Sequence, residues 1–307
     1  MSVTRRSFLA VSSVASVSLV TGGSLANEPI LRSGPPRFRI GLAAYSLRPH
    51  FRFMKGKPQK SAGDDGLSMF DFLDYCVAQG VEAAELTSYF IEPDQDGFPS
   101  DERLRRLRWA AFNRGLTISG TAIGNNFTVG PGPKLDAEIA AAKRWIEKAD
   151  VLGAPHIRFF AGTAAQLAAA PSRMTEAIDA LQQCADLASE KGVFLGVENH
   201  GGLDGDQMLE LMRRIESPWV GINLDTGNFH TDDPYRDIER CVPYAVNVQV
   251  KTSLKRPDGT KHPADLNRVG KILKEAGYQG FVILEYEDEN PYEQIPVQLE
   301  RLREALS

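Results

Sequence analysis

The chain has 307 residues, of which 42% are hydrophobic and 24% are charged, and its formal net charge is −5. This composition is typical of a soluble globular protein with enough apolar material for a sizeable core. The mildly negative charge argues against nucleic acid, and against an anionic membrane surface, as the main partner.

The first 26 residues differ in composition from the rest of the chain. A basic start with Arg5 and Arg6 leads into an apolar, serine-rich run, and a small-x-small pattern follows at 24–26. The stretch "TRRSFL" resembles the twin-arginine export motif, and the small residues resemble a cleavage site. We predict a twin-arginine signal peptide over 1–26 and a linker over 27–36. The mature protein is then expected in the periplasm, with no stable membrane insertion after cleavage.

From Phe38 onward, short apolar runs alternate with longer amphipathic stretches. In the first half the apolar runs predict four strands: "FRIGLAAYS", "VEAAEL", "LTISGTA" and "PHIRFFAG". The stretches between them show the periodicity of helices, and two of these helices are predicted to end at Gly80 and Gly115.

The second half repeats this alternation, with strands predicted at "VFLGVEN", "VGINLDT", "AVNVQVK" and "FVILEYE". Strands nearly continuous in Val, Ile, Leu and Phe are typical of parallel sheets buried on both faces. Eight such units predict one α/β domain over 37–307, a (βα)8 TIM barrel. The alternative is an open doubly wound sheet, but no segment resembles its glycine-rich nucleotide loop.

An oxygen-bearing side chain ends each of the last four predicted strands: Glu198, Asp225, Gln249 and Glu285. Active sites of TIM barrels lie at the C-terminal ends of the strands, so these residues would share one quadrant of the barrel mouth. Three carboxylates brought together repel one another unless a cation lies between them. The pattern therefore predicts a divalent metal site, although each residue taken alone is also compatible with a turn, cap or strand-end role.

The motifs "VENHGG", "NLDTGN", "VQVKT" and "LEYE" resemble those of the xylose isomerase-like TIM barrels in the sugar phosphate isomerase/epimerase family. The resemblance implies metal ligation by Glu198, Asp225, Gln249 and Glu285. Many members have histidine where this chain has Gln249, and ketose epimerases often have histidine where it has Asn228. Both departures weaken the transfer of a ketose-epimerase substrate to this chain.

The ligand set bears on the identity of the metal. Three carboxylates and an amide oxygen favour hard ions, so we expect one Mn²⁺ or Mg²⁺. Zinc sites more often use histidine or cysteine, which leaves Zn²⁺ and Co²⁺ as alternatives.

The family resemblance also implies the chemistry. A metal ion on two adjacent substrate oxygens would acidify the C–H beside a carbonyl and stabilise the resulting enediolate. Glu198 and Glu285 are then the catalytic residues that move protons on opposite faces of the substrate. We expect an isomerase or epimerase of a sugar or sugar-derived ketone. The alternative is a lyase that dehydrates a keto-sugar or cyclic keto-acid.

Other polar residues near the predicted strand ends are candidates for contacts with the carbohydrate substrate: His200, Lys251, Asn228, Tyr45, Glu85 and Arg158. His200 could instead orient a metal ligand, or be a loop histidine satisfied by the backbone. The competing interpretation of Lys251 is a solvated surface lysine. The long segment after the first strand, "SLRPHFRFMKGKPQKSAGDDG", is expected to overhang the mouth or to contact a second copy in a homo-oligomer, and the alternative is a flexible solvated insertion.

Two other classes of function are less compatible with the sequence. The apurinic endonuclease IV group shares this superfamily, but it uses a histidine-rich multi-zinc site and a basic surface, whereas this chain has five histidines and a negative charge. A catalytically inactive sugar-binding barrel is the other class. The presence of both acid–base glutamates argues against it, and binding without turnover would identify it.

Overall fold

A computed structural model describes residues 27–60, 63 and 66–307, so the predicted signal peptide lies outside the described residues. Its centre is a closed barrel in which each parallel strand pairs with its neighbours in chain order and the first pairs with the last. This confirms the predicted TIM barrel. The eight strands are β1 Arg37–Ala43, β2 Ala83–Glu85, β3 Thr117–Ala122, β4 His156–Phe160, β5 Phe194–Glu198, β6 Val220–Asp225, β7 Ala245–Val250 and β8 Gln279–Leu284.

Helices surround the barrel in the described part of the chain. They begin and end where local chemistry favours it: Ser68 caps the first, and Gly153 and Gly192 end two others in the left-handed conformation. They are α1 Met69–Ala78, α2 Asp101–Asn113, α3 Pro133–Leu152, α4 Ala164–Ala169, α5 Ser172–Lys191, α6 Gly205–Arg214, α7 Pro234–Cys241, α8 Leu266–Glu275 and α9 Pro291–Leu306. None of the described helices is long and apolar enough to cross a membrane.

The main hydrophobic core lies between the strands and the helices. A second, much smaller apolar cluster consists of Ala43, Ala83 and Ile283 with Phe281 packed against it. Polar side chains are also buried on strands of the barrel, including those of His156, Arg158, Asn223 and Asn247. Part of the barrel interior is therefore polar.

His156, at the start of β4, is enclosed by two glycines of the neighbouring strands. A Cβ atom added at Gly120 or Gly196 would collide with its imidazole ring. These positions thus require glycine because of the close approach of a ring. Both ring nitrogens are buried without a hydrogen-bond partner among the described residues.

Residues 27–36 pack against the end of the barrel at which the strands begin. The Asn27 side chain donates to the Val220 carbonyl, and the Ile30 amide donates to Pro243 O at 2.9 Å. The Arg32 guanidinium donates to Ala245 O and lies 4.9 Å from the centroid of the Tyr278 ring. The segment expected to be a linker is thus in contact with the barrel.

The long segment after β1 packs onto the connection that follows β2. It contains a 3₁₀-helix over Ala44–His50 and a short hairpin. The Phe51 ring is buried and stacks on Phe90 with their centroids 4.3 Å apart. The Lys55 amide donates to Tyr89 O at 2.8 Å, and its ammonium lies over the Tyr89 ring.

Candidate active site

The four strand-end residues converge at the mouth, the end of the barrel at which the strands finish. Glu198 and Asp225 are the last residues of β5 and β6, Gln249 is the penultimate residue of β7, and Glu285 follows β8 directly. All four are buried. Asp225 lies beside Gln249 in the register of β6 and β7, and Gln249 Nε2 donates to Glu285 Oε2 at 2.9 Å.

The ends of β5 and β6 are joined through Asn199. Its side-chain oxygen accepts from the Asp225 amide, and its Nδ2 donates to the Asp225 carbonyl, both at 2.8 Å. The chain then turns at Gly201 and Gly202, which have φ angles of +64° and +84°. Glycine adopts this left-handed conformation without strain, so the turn leaves His200 at the rim of the mouth.

Glu198 is held on both carboxylate oxygens. Arg158 Nε lies 2.9 Å from Oε2, while His200 Nδ1 and Asn228 Nδ2 donate to Oε1 at 3.0 and 2.8 Å. Burial alone would raise the pKa of Glu198, but the Arg158 charge and the His200 hydrogen bond lower it to about 2. Three residues predicted as substrate contacts thus hold Glu198, the first of the two glutamates predicted to be catalytic.

Phe160 was not predicted as a site residue, yet it contacts two of these groups. The His200 ring stacks on it with centroids 4.2 Å apart, and Arg158 Cζ lies 4.0 Å from its centroid. Phe160 is the last residue of β4, two positions after Arg158, so both side chains belong to the same face of the strand. That spacing was a signal available in the sequence.

Lys251 is surrounded by oxygen atoms. Its Nζ lies 3.2 Å from Asp225 Oδ2, 3.4 Å from Glu285 Oε1, 3.1 Å from Glu287 Oε2 and 3.3 Å from Asn228 Oδ1. Burial alone would lower the pKa of Lys251, but the carboxylates raise it well above its usual value. Lys251 is therefore a buried counter-ion in the site, and Glu287 joins the site through it.

A chain of buried amides supports Gln249 from inside the barrel. Asn247 Nδ2 donates to Asn223 Oδ1 at 2.8 Å, and Asn223 Nδ2 donates to Gln249 Oε1 at 2.6 Å. Gln249 Nε2 in turn lies 3.0 and 3.1 Å from the two oxygens of Glu85. Asn223 and Asn247 were not predicted, although each stands two residues before a predicted ligand and hence on the same strand face.

Burial dominates the protonation of the remaining carboxyl groups. It raises the pKa of Glu85 to about 7 and that of Asp225 to about 6, with Arg158 and Lys251 respectively offsetting part of the effect. It raises the pKa of Glu285 well above its usual value, although Lys251 opposes this. The mouth therefore holds more carboxyl groups than its two fixed cations, Arg158 and Lys251, could balance if all were ionised.

Tyr45 lies at the edge of the site. Its hydroxyl makes no hydrogen bond to the network among the described residues, and its ring packs near Tyr89 and Phe90 at 6.4 and 6.2 Å. Burial and the nearby Glu287 carboxylate raise the pKa of Tyr45. The structure thus brings nine of the ten predicted site residues into one polar network and leaves Tyr45 beside it.

A family model described as a xylose isomerase-like TIM barrel matches residues 73–305. The chain belongs to this family. None of the curated proteins compared with the chain matches it.

Several solved structures share the xylose isomerase-like fold over most of this chain. D-psicose 3-epimerase from Clostridium cellulolyticum H10 is 13% identical, covers 88% of this chain and 99% of its own, and has a TM-score of 0.68. The 3-keto-D-glucoside 4-epimerase of E. coli is 14% identical, covers 87% of this chain and 100% of its own, and has a TM-score of 0.65. A probable 3-DHS dehydratase from Bacillus anthracis is 16% identical, covers 86% of this chain and 98% of its own, and has a TM-score of 0.66. At these identities the likeness establishes the fold.

The family implies a divalent metal, and the site can be tested for it. The donors suit a hard cation, because Glu198, Asp225 and Glu285 offer carboxylate oxygens and Gln249 offers an amide oxygen. Charge also suits it, since the buried Asp225 Oδ2 already faces a cation, the Lys251 ammonium, at 3.2 Å. The chemistry of the donor set therefore fits a divalent ion.

The present side-chain arrangement differs from that of a metal site. No group of three or more His, Cys, Asp or Glu in the described part of the chain is arranged to hold a metal ion. The Lys251 ammonium lies between Asp225 and Glu285, and Gln249 turns its amide nitrogen toward Glu285. A lysine thus stands as the cation of this carboxylate cluster.

Proposed function

We propose that this protein is a divalent-metal-dependent isomerase or epimerase of a sugar or sugar-derived ketone. The observation that supports this most directly is the pair of buried glutamates, Glu198 and Glu285, at the ends of β5 and β8 in one mouth. The two epimerases that share the fold support the same reaction class. The reaction is proton transfer through an enediolate of the substrate.

The two glutamates have different surroundings, which suits them to different roles. Glu198 is stabilised as a carboxylate by Arg158, His200 and Asn228, so it can accept the proton from a C–H beside a carbonyl. Glu285 meets Lys251 and an amide donor, and it lies in a region with excess carboxylate charge, so it can hold the proton that is returned. Carboxyl groups whose environments differ in this way can divide the roles of base and acid.

We propose Glu198, Asp225, Gln249 and Glu285 as the ligands, with Mn²⁺ or Mg²⁺ favoured by their oxygen atoms. A divalent ion held there would supply Lewis-acid polarisation of the substrate carbonyl. His200 is about half exposed at the rim, with a side-chain exposure of 48%, and we propose that it contacts a substrate hydroxyl. With export proposed for this chain, the substrate is an unphosphorylated carbohydrate outside the cytoplasm.

A lyase is the second candidate, and Gln249 favours it. Some dehydratases of the family use glutamine at this position, and a probable 3-DHS dehydratase shares the fold. Loss of a β-hydroxyl from the same enediolate would give dehydration instead of proton return. The product of the reaction separates the two candidates.

Hydrogen exchange tests the proposal. A chain that begins at residue 27 is loaded with Mn²⁺ or Mg²⁺ and incubated in D₂O with free ketoses, inososes and keto-glycosides. NMR spectra of the sugars are recorded after the metal and the protein have been removed. We expect deuterium at the carbon beside the carbonyl, and we expect Glu198→Gln and Glu285→Gln to lower the exchange rate by about 10³-fold or more. Glu304, exposed on α9, offers the matched control Glu304→Gln, which should exchange at the wild-type rate. Full exchange in either site variant would contradict the assignment of that glutamate.

A further inference from the structure

The position of Lys251 calls for a functional explanation, because long cationic side chains are seldom buried. Lys251 follows β7 directly, and its backbone amide donates to Thr226 Oγ1 at 3.0 Å, which fixes the start of the side chain. Its residue exposure is 8%. The ammonium touches oxygens of two proposed metal ligands, Asp225 and Glu285, and of two other residues, Glu287 and Asn228.

We infer that Lys251 is an internal cation that competes with the divalent ion for Asp225 and Glu285, and that Glu287 and Asn228 retain its ammonium when the ion enters. The inference rests on the metal dependence proposed above. Its physical basis is that an ammonium and a divalent ion repel strongly at contact distance in a site of low dielectric constant. Both cannot lie against the same two carboxylates.

Glu287 is suited to receive the ammonium. It lies outside the proposed ligand set, its side chain is 29% exposed, and its Oε2 is the carboxylate oxygen nearest to Nζ, at 3.1 Å. If the ammonium moves toward the rim, it loses its contacts with Asp225 and Glu285 but keeps its existing contact with Glu287. In the metal-free protein, the same lysine offsets the repulsion among the carboxylates.

Replacement of the ammonium tests the competition. Lys251→Met keeps most of the length of the side chain and removes its charge, so we expect Mn²⁺ to bind with a Kd lower by about tenfold or more. Binding is measured by titration calorimetry and by the Mn²⁺ spin-resonance signal, which do not depend on turnover. Lys271 is an exposed lysine on α8, and Lys271→Met changes the net charge equally and should leave the Kd unchanged.

Glu287→Gln should have the opposite effect. Without its carboxylate the displaced ammonium loses a partner, so Mn²⁺ should bind more weakly than to the wild type. In the Lys251→Met background, the same change should alter the Kd much less, because Glu287 acts through the lysine. If Lys251→Met fails to fold, Glu287→Gln and the thermal shift of the wild type on Mn²⁺ addition still test the inference.

The outcomes separate this inference from the proposed function. Tighter binding to Lys251→Met supports the inference, and binding to that variant alone supports it while contradicting metal dependence of the wild type. Equal or weaker binding to Lys251→Met than to the wild type overturns the inference and leaves metal dependence standing. No binding to either protein overturns both.

Discussion

At the scale of single residues, the carboxylate of Glu198 is held by two side chains that both pack on the same aromatic ring. Arg158 and His200 both contact Glu198, and both pack on Phe160. A guanidinium over an aromatic ring contributes about 0.5–2 kcal/mol, with the larger values where the cation is desolvated. We therefore expect Phe160 to be a positioning residue, which acts through the groups that hold Glu198.

Phe160→Leu should lower the exchange rate by about tenfold, because Arg158 and His200 lose the surface that orients them. The acidic limb of the rate–pH profile should also move to higher pH, because the groups that hold Glu198 ionised are loosened. The neighbouring Phe159 is buried and packs on Phe127 instead, so Phe159→Leu should lower stability but leave the profile in place. Equal profiles for the two variants would contradict the positioning role.

At the scale of elements, residues 27–36 contact the starts of two strands and the chain that follows α7. Asn27, Ile30 and Arg32 bond to backbone carbonyls at the start of β6, after α7 and at the start of β7. Buried carbonyls without partners are costly, so these hydrogen bonds stabilise the end of the barrel at which the strands begin. The mouth lies at the other end, so the segment contributes to stability and not to the site.

Removal of this segment should destabilise the protein without changing its chemistry. A chain that begins at residue 33 should unfold in urea with a free energy lower by about 2 kcal/mol or more than one that begins at residue 27, because it loses several hydrogen bonds and the contact with Tyr278. Leu31 is 99% exposed, and Leu31→Ala in the longer chain should cost nothing measurable. Equal stability of the two chains would show that the observed contacts contribute little.

At the scale of the whole molecule, the polar barrel interior makes stability depend on pH. Burial, together with the nearby Arg158 charge, lowers the pKa of His156 to about 3. The unfolded chain binds this proton below its ordinary pKa of about 6.5, whereas the folded protein does not. Stability from this group is therefore complete above pH 6.5 and is lost progressively as the pH falls toward 3.

His156→Gln should remove part of this acid sensitivity. Between pH 7 and pH 5, the wild type should lose about 2 kcal/mol of unfolding free energy through His156, and the variant should lose less by that amount. Urea unfolding at a series of pH values measures the difference. His262 is exposed, and His262→Gln should keep the wild-type dependence. If His156→Gln leaves the dependence of the unfolding free energy on pH unchanged, this account is contradicted.

Much of the architecture was predictable, because strand and helix formation follow local patterns. All eight predicted strands form, and their apolar runs are buried between neighbouring strands and helices. The boundaries were less predictable: "FRIGLAAYS" ends as a strand at Ala43, and a 3₁₀-helix begins at Ala44. A run of apolar residues does not reveal where the pairing with a neighbour stops.

Local sequence patterns were enough to predict the barrel and to bring Glu198, Asp225, Gln249 and Glu285 together at its mouth, because the C-terminal ends of parallel strands must meet at one end of a closed sheet. Which group neutralises which charge became visible in the folded arrangement of the side chains. Lys251 could be a solvated lysine, a substrate contact or a counter-ion, and Arg158 could reach substrate or Glu198. These choices depend on distances between side chains from different strands, and on burial that makes each unpaired charge costly, and neither is encoded in a local pattern.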